Sequence, residues 1–232
     1  MNRKLIFITC FLLTFIFISC NSNRSKSEEA TNISNSAEEV INSKVDLLRD
    51  ITPLFEDGDV NAVIEIPSGT LEKWELNKST GQVQRELVDN TPRVVNYLGY
   101  PGNYGMIPQT LLSREKGGDG DPLDIVVLGP PSTRGGIVKC KIIGVLYLMD
   151  RGEHDDKLIA VSEGSPLYQV NDMTDLNKNY KGISEIIKLW FTNYKGPDKM
   201  ESEGFGDKNT ALAILKDAID EFNLSHTKQN KK

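Results

Sequence analysis

Cysteine is scarce in this 232-residue chain, with Cys10, Cys20 and Cys140 the only three. Cys10 lies inside the N-terminal apolar run and Cys20 at its end, so everything downstream holds a single thiol. That excludes an intrachain disulfide framework and a cysteine-built metal site in the body of the chain. Long apolar runs are equally rare. The one present, Leu5–Ile18, falls short of the ~20 residues that cross a bilayer comfortably. Positive charge is outweighed, with 27 Lys and Arg against 33 Asp and Glu and a net charge of -6, which argues against a nucleic-acid partner. Histidine occurs only twice. His154 sits in an acidic turn and reads as a solvated residue, as do Glu153 and Asp156 beside it. No internal repeat is present.

Arg3 and Lys4 precede the apolar run, which is the layout of a secretory signal. Phe17-Ile18-Ser19-Cys20 closes it, and an apolar residue, a small one and Cys in that order resemble a lipobox, whose Cys is lipidated and becomes the new N-terminus. Residues 1–19 are therefore expected to be a lipoprotein-type signal peptide. Its removal takes Arg3 and Lys4 away and moves the formal charge from -6 to -8. Residues 20–43 are rich in Ser, Asn, Glu and Lys and poor in large apolar residues, the composition of a flexible tether. Residues 44–232 are numerous enough for one domain with its own core. The expected location is an exported one, lipid-anchored to a bacterial membrane, periplasmic or at the outer surface.

Along the domain, Val60–Pro67 reads as a strand rich in β-branched residues. Leu71–Leu76 alternates, with Lys73 and Glu75 on one face and Glu72, Trp74 and Leu76 on the other. Gln82–Val88 follows after a turn, giving an antiparallel meander. Thr91–Pro108, with three tyrosines among glycines and prolines, reads as irregular. Ile125–Leu128, then the long Ile137–Met149 with a bend at Gly144, then Lys157–Val161 continue as strands. Helical spacing appears in Asn179–Tyr194 and again in Asn209–Leu224, where Leu212, Leu215, Ile219 and Phe222 form a stripe. Trp74 and Trp190 read as core. Five or more strands followed by two helices point to an α+β domain built on an antiparallel sheet or a closed barrel.

The densest chemistry lies in Gly117–Leu128, where Asp119, Asp121 and Asp124 fall within six residues. Carboxylates held about 6 Å apart repel by roughly 3 kcal/mol per pair at an effective dielectric near 20, so the fold must place positive charge among them. Short oxygen ligands suit hard cations such as Mg2+. An acidic turn would also explain Asp with Gly. Against it, Asp124 stands at the mouth of an apolar strand, where a free carboxylate is costly. An EF-hand counted from Asp119 needs a carboxylate where Pro130 stands, and a β-roll calcium repeat needs one where Pro122 stands. A catalytic metal site predicts further acids near other strand ends. Asp150 and Asp155 flank the next turn and Glu65 interrupts the first strand, so their joint occurrence favours metal over a plain turn.

VIEIP, KWEL, YPGNYG, DGDPLD, DRGEHDDK and NYK occur in that order between about Val63 and Lys199. In this they resemble the soluble family I inorganic pyrophosphatases. The resemblance implies a mainly antiparallel, OB-like β-barrel of about five strands with two C-terminal helices, hydrolysing pyrophosphate to two orthophosphates with several Mg2+, Mn2+ or another divalent ion being possible. Asp119, Asp124 and Asp155 match ligands of the principal metal site, Asp150 a ligand of a further ion, and Glu65 a carboxylate near another. Asp121 matches the general base acting on a water between two metals. Lys73, Lys157, Tyr194 and Lys195 match holders of phosphate oxygens; Tyr100 and Tyr104 match the two site tyrosines, Tyr104 towards substrate, and Glu75 a supporting acid. For the phosphate-binding arginine, Arg93, seven residues before Tyr100, lies nearer the family's place than Arg85. A role for Lys199 stays open. The resemblance also implies a homo-oligomer. The alternative is a non-enzymatic, lipid-anchored metal- or phosphate-binding protein on the same scaffold.

Overall fold

The computed structural model describes residues 40–41 and 43–229. The signal peptide, Cys20 and nearly all of the tether lie outside the described residues. In chain order the strands are β1 (Val40–Ile41), β2 (Val60–Ile66), β3 (Trp74–Asn77), β4 (Gln82–Arg85), β5 (Leu87–Val88), β6 (Thr91–Pro92), β7 (Asn103–Met106), β8 (Asp124–Leu128), β9 (Ile137–Asp150), β10 (Glu153–His154), β11 (Lys157–Ser162) and β12 (Met200–Gly206). The helices are α1 (Met173–Asn179), α2 (Ile183–Asn193) and α3 (Lys208–Gln229).

Five strands close a ring, since β9 pairs β11, β11 pairs β8, β8 pairs β7, β7 pairs β2, and β2 returns to β9. The length of β9 makes closure possible. Its first residues, Ile137–Cys140, pair β2, its middle pairs β11, and its end pairs β12 and β10. Every pairing in the ring is antiparallel except β8 with β11. The expected α+β class with an OB-like barrel therefore holds, with a small sheet of β1, β4 and β3 beside the barrel.

Strand side chains alternate between two faces, and the core divides accordingly. Val60, Ala62 and Ile64 of β2 join Ile125 and Val127 of β8 in a cluster that Ala211, Leu215 and Ala218 of α3 complete. Val126, Leu128, Ile159 and Val161 face the other cluster, shared with Trp74, Met173, Leu176, Ile187 and Trp190. Both tryptophans are core, as their pattern indicated.

Several details differ from the sequence reading. Thr91–Pro108 is not wholly irregular, because Asn103–Met106 forms β7 in the barrel wall. Turn-forming residues hid it, yet glycine is required there: a Cβ on Gly105 would lie 1.9 Å from the Val63 carbonyl oxygen of β2. The strand β12 was also missed, being a polar edge segment that, among the described residues, pairs only with β9. The expected bend in β9 takes the form of a bulge at Ile143, next to Gly144, where the register with β11 skips one residue. The first expected helix begins at Ile183 rather than Asn179, since Gly182 adopts φ 93° and separates α2 from the short α1. Asp172 caps α1 by accepting the Asp175 N–H at 2.8 Å. On α2, Ile186 is exposed while Ile187, Trp190 and Phe191 are buried.

Candidate active site

The parallel register of β8 and β11 builds the centre of the site. Leu158 lies opposite Ile125, so the residues just before them, Lys157 and Asp124, meet at the same end of the barrel. Lys157 Nζ donates to Asp124 and, at 2.6 Å, to Asp155 Oδ1. The lysine is 2% exposed. Burial alone would lower its pKa, but Asp124 and Asp155 more than reverse that and hold it above the usual lysine range. Two of its three N–H donors are thus engaged, and one remains for a ligand.

The aspartate loop is tied down by its own backbone. Leu112 donates to the Asp121 carbonyl at 2.8 Å, Gly120 donates back to Leu112 at 2.8 Å, and Asp121 N–H donates to Asp119 Oδ1 at 2.9 Å. Gly120 takes φ 82°, which lets the chain turn between the two carboxylates. Burial raises the Asp119 pKa, with Asp121 and Asp124 adding repulsion.

Glu65 reaches the same space through a bulge. Ile64 pairs with Gly105 and Ile66 with Tyr104, so Glu65 is the extra residue and its side chain is turned inward. It accepts the Leu76 N–H at 2.7 Å and is 5% exposed. Burial pushes its pKa up to about 8, partly offset by Lys73. Glu75, on the exposed face of β3, also has a raised pKa, from burial first, with Lys73 acting the other way.

Lys73 and Arg93 are neighbours on adjacent segments, the Lys73 N–H donating to the Arg93 carbonyl at 3.1 Å. Arg93 bonds Glu86 Oε1 at 2.6 Å through Nη1. An aromatic wall closes the other side. Tyr100 lies 5.4 Å from Tyr104 and 4.3 Å from Trp190, and Tyr194 stacks on Trp190 at 4.6 Å and 12°. Burial raises the pKa of both Tyr100 and Tyr104, keeping them protonated donors. Lys195, just past α2, donates to Asp150 Oδ2 at 2.7 Å.

These side chains surround one cavity of about 390 Å³, lined by Glu65, Lys73, Glu75, Arg93, Tyr104, Asp119, Asp121, Asp124, Asp155, Lys157, Tyr194 and Lys195. Of the residues singled out in the sequence, Asp150 and Tyr100 stand just behind this lining, joined to it through Lys195 and Tyr104. Arg85 is not part of the lining and packs instead around a pocket with Trp74 and Arg134. Lys199 is not in the lining either. One residue escaped the sequence reading: Lys78, in the turn after β3, lines the cavity and donates to Asp121 and, at 3.0 Å, to the Gly120 carbonyl. Only its position one turn beyond Lys73 and Glu75 hinted at this. The positive charge that the aspartates require is thus supplied in part by Lys157 and Lys78.

The donor chemistry fits a hard divalent cation, being all oxygen and mostly carboxylate. Asp150 Oδ1 is also buried and takes no hydrogen bond. Among the described residues, however, no three His, Cys, Asp or Glu side chains stand close enough to form a ready-made metal cluster. Asp124 and Asp155 instead share Lys157.

Three comparisons with known proteins agree with this geometry. Residues 62–223 match the family model described as inorganic pyrophosphatase. The inorganic pyrophosphatase of Xylella fastidiosa is 33% identical over 169 residues, covering 71% of this chain and 89% of the relative. That of Caulobacter vibrioides is 36% identical over 176 residues, covering 72% and 92%. Among solved structures, the type I inorganic pyrophosphatase from Toxoplasma gondii aligns with a TM-score of 0.73 at 26% identity, covering 80% of this chain and 97% of its own. The Helicobacter pylori enzyme aligns with a TM-score of 0.64 at 32% identity, covering 75% and 99%. With its barrel, its carboxylate-lined cavity and these matches over most of its length, the chain belongs to the inorganic pyrophosphatase family.

Proposed function

We propose that the chain hydrolyses inorganic pyrophosphate to two orthophosphates in a divalent-cation-dependent reaction, with Mg2+ the preferred ion and Mn2+ or another divalent ion as substitutes. The observation that carries this reading is the charge of the cavity. Glu65, Glu75, Asp119, Asp121, Asp124 and Asp155 face Lys73, Lys78, Arg93, Lys157 and Lys195, so six acids stand against five bases. Such a wall cannot by itself neutralise a pyrophosphate carrying three to four charges. Yet its oxygen ligands suit hard cations, which would bring the missing charge together with the substrate.

Asp119, Asp124, Asp155, Asp150 and Glu65 are the residues assigned to hold cations. Bound divalent ions supply charge that offsets the substrate and make water a stronger acid. Asp121 accepts the proton of the attacking water; Asp119 and the Leu112 backbone keep its loop in place. Lys73, Arg93, Tyr104, Lys157, Tyr194 and Lys195 donate to phosphate oxygens and stabilise the charge developing on the leaving phosphate. Glu75 supports Lys73 from within the lining, and Tyr100 supports Tyr104 from behind.

The same proposal places the protein at a bacterial membrane, exported and held by lipid on Cys20, with a homo-oligomeric assembly. Support for the anchor comes from the sequence of residues 1–20 alone. Among the described residues no helix is long and apolar enough to cross a membrane. The alternative of an inactive binding protein finds no support among the relatives, which carry an enzyme's name.

Phosphate release from pyrophosphate and from nitrophenyl phosphate, compared at equal Mg2+, tests the reaction class. A strong preference for pyrophosphate is expected, and equal rates would replace the reading with a general phosphomonoesterase. Cell fractionation of Cys20→Ser should move the protein from the membrane to the soluble fraction; unchanged membrane association would mean an uncleaved anchor.

A further inference from the structure

Four of the five described cations lining the carboxylate cavity are assigned to phosphate; Lys78 is the fifth. It stands in the turn between β3 and β4, and its side chain crosses to a loop 43 residues further along the chain. There Nζ donates to acceptors on two consecutive residues, the Gly120 carbonyl at 3.0 Å and Asp121 Oδ1. Charge alone would be satisfied by any nearby carboxylate, whereas gripping a backbone carbonyl and the next side chain together fixes a direction. The turn under Lys78 is stiff. Asn77 Oδ1 accepts the Ser79 N–H at 2.8 Å, and the Asn77 carbonyl accepts the Gly81 N–H at 2.8 Å. The segment before β2 braces it from outside. Arg49 Nη2 donates to the Lys78 carbonyl while Nη1 holds Asp46 Oδ2 at 2.6 Å, and the Leu47 N–H donates to the Gly81 carbonyl at 2.9 Å. At the far end, Gly120 and Asp121 are tied to Leu112 through their backbones. Both ends of the bridge are thus fixed, and only the two side chains remain to be set. Each is about half-exposed, so the pair contributes little to global stability and an effect on rate is separable from one on the fold.

Resting on the pyrophosphatase reading, we propose that Lys78 is a positioning residue for the proton acceptor, holding Asp121 Oδ1 and the Gly120 carbonyl so that Asp121 Oδ2 is aimed at the attacking water. Lys78 itself touches neither substrate nor water and transfers no proton. As the water oxygen bonds to phosphorus and the bridging P–O bond breaks, the water's proton passes to Oδ2 and the bridging oxygen leaves with the second phosphate. The lysine's part is to keep one carboxylate oxygen occupied and the other free for that transfer.

The test follows initial rates of the full chain on pyrophosphate, at Mg2+ levels that calorimetric titration shows to saturate each variant. Lys78→Met is expected to lower kcat roughly 10- to 50-fold with KM within about twofold, the loss that a misaimed reacting group produces. Lys78→Arg, which has donors for the same two acceptors, should bring kcat back to within about threefold of the wild type. In the Asp121→Asn background, Lys78→Met should change kcat by less than about twofold, because the group it aims no longer accepts a proton. Urea midpoints of the Lys78 variants should stay close to that of the wild type. A lysine needed only for the fold would not give a loss confined to kcat, rescued by arginine and silent without Asp121. A rise in KM at unchanged kcat would make Lys78 a phosphate holder and overturn the positioning role. So would a loss that vanishes as Mg2+ is raised, the same loss in the Asp121→Asn background, an arginine variant no better than methionine, or full activity of Lys78→Met. Each of these leaves the pyrophosphatase reading standing, whereas a wild-type chain inactive on pyrophosphate would remove both.

Discussion

Two lysines in this molecule each gather several carboxylates, and they do so in opposite settings. Lys139, on β9, meets Asp57 at 2.6 Å, Glu163 at 3.2 Å and Asp59 at 3.8 Å, with Tyr168 also bonding Asp59. Asp57 and Glu163 are more than half exposed and screened by water, while the buried Asp59 also takes the Tyr168 hydroxyl, so each charge has a partner. Lys157 meets Asp124 and Asp155 with only 3% of its side chain exposed, beside a cavity that also holds Asp119, Asp121 and Glu65. The ingredients are alike. The difference is enclosed space together with an excess of acid, which leaves the second cluster with chemistry still to do.

The largest effect should come from the residue that has no counterpart around Lys139. Asp121→Asn keeps the shape of the loop but removes the proton acceptor, and should lower kcat on pyrophosphate by about two to four orders of magnitude. Circular dichroism should be unchanged; near-full activity would disprove the base assignment. The next contrast is between the lysines themselves. Lys157→Met leaves two carboxylates facing each other in a half-buried space and should cost about 3–5 kcal/mol in metal-free urea denaturation. Lys139→Met should leave the midpoint almost where it was, and comparable losses from both would erase the distinction. A comparable effect, visible only when pH is varied, concerns Glu65. Its folded pKa of about 8 lies above the ordinary 4.5. Its protonated form therefore stabilises the native state below about pH 4.5, and that contribution is lost as pH rises through 8. Glu65→Gln should then match the wild type at pH 5 in EDTA and exceed it at pH 9 by roughly 3–5 kcal/mol. A constant difference across pH would contradict the assigned burial effect.

How much of this was legible in the sequence depended on how local each signal was. The aspartate loop was readable because three carboxylates within six residues are improbable without a cation, and the β8 strand follows at once. The alternation correctly put Glu75 of β3 opposite the buried Trp74 and Leu76, with Lys73 just before the strand, because period two needs no knowledge of distant partners. The strand β7 was not readable, since its glycine is demanded by the approach of β2, a distant stretch of sequence invisible to any local window. The same holds for Glu65: its place on a strand was clear, but the bulge that turns it inward depends on register with β7. Lys78 was missed because its role arises from meeting Asp121 across the cavity, and a lysine in a turn is ordinarily a solvated charge.

By the proposed function, the enclosed acidic cluster, and not the exposed one, carries a cation-dependent hydrolysis of pyrophosphate. Continuous measurement of orthophosphate release by the wild-type chain, with Mg2+ added and then removed by EDTA, tests it most directly. Release should start with Mg2+, stop on chelation and resume when Mg2+ is restored in excess. Absence of release at any Mg2+ concentration, or release indifferent to EDTA, would contradict it.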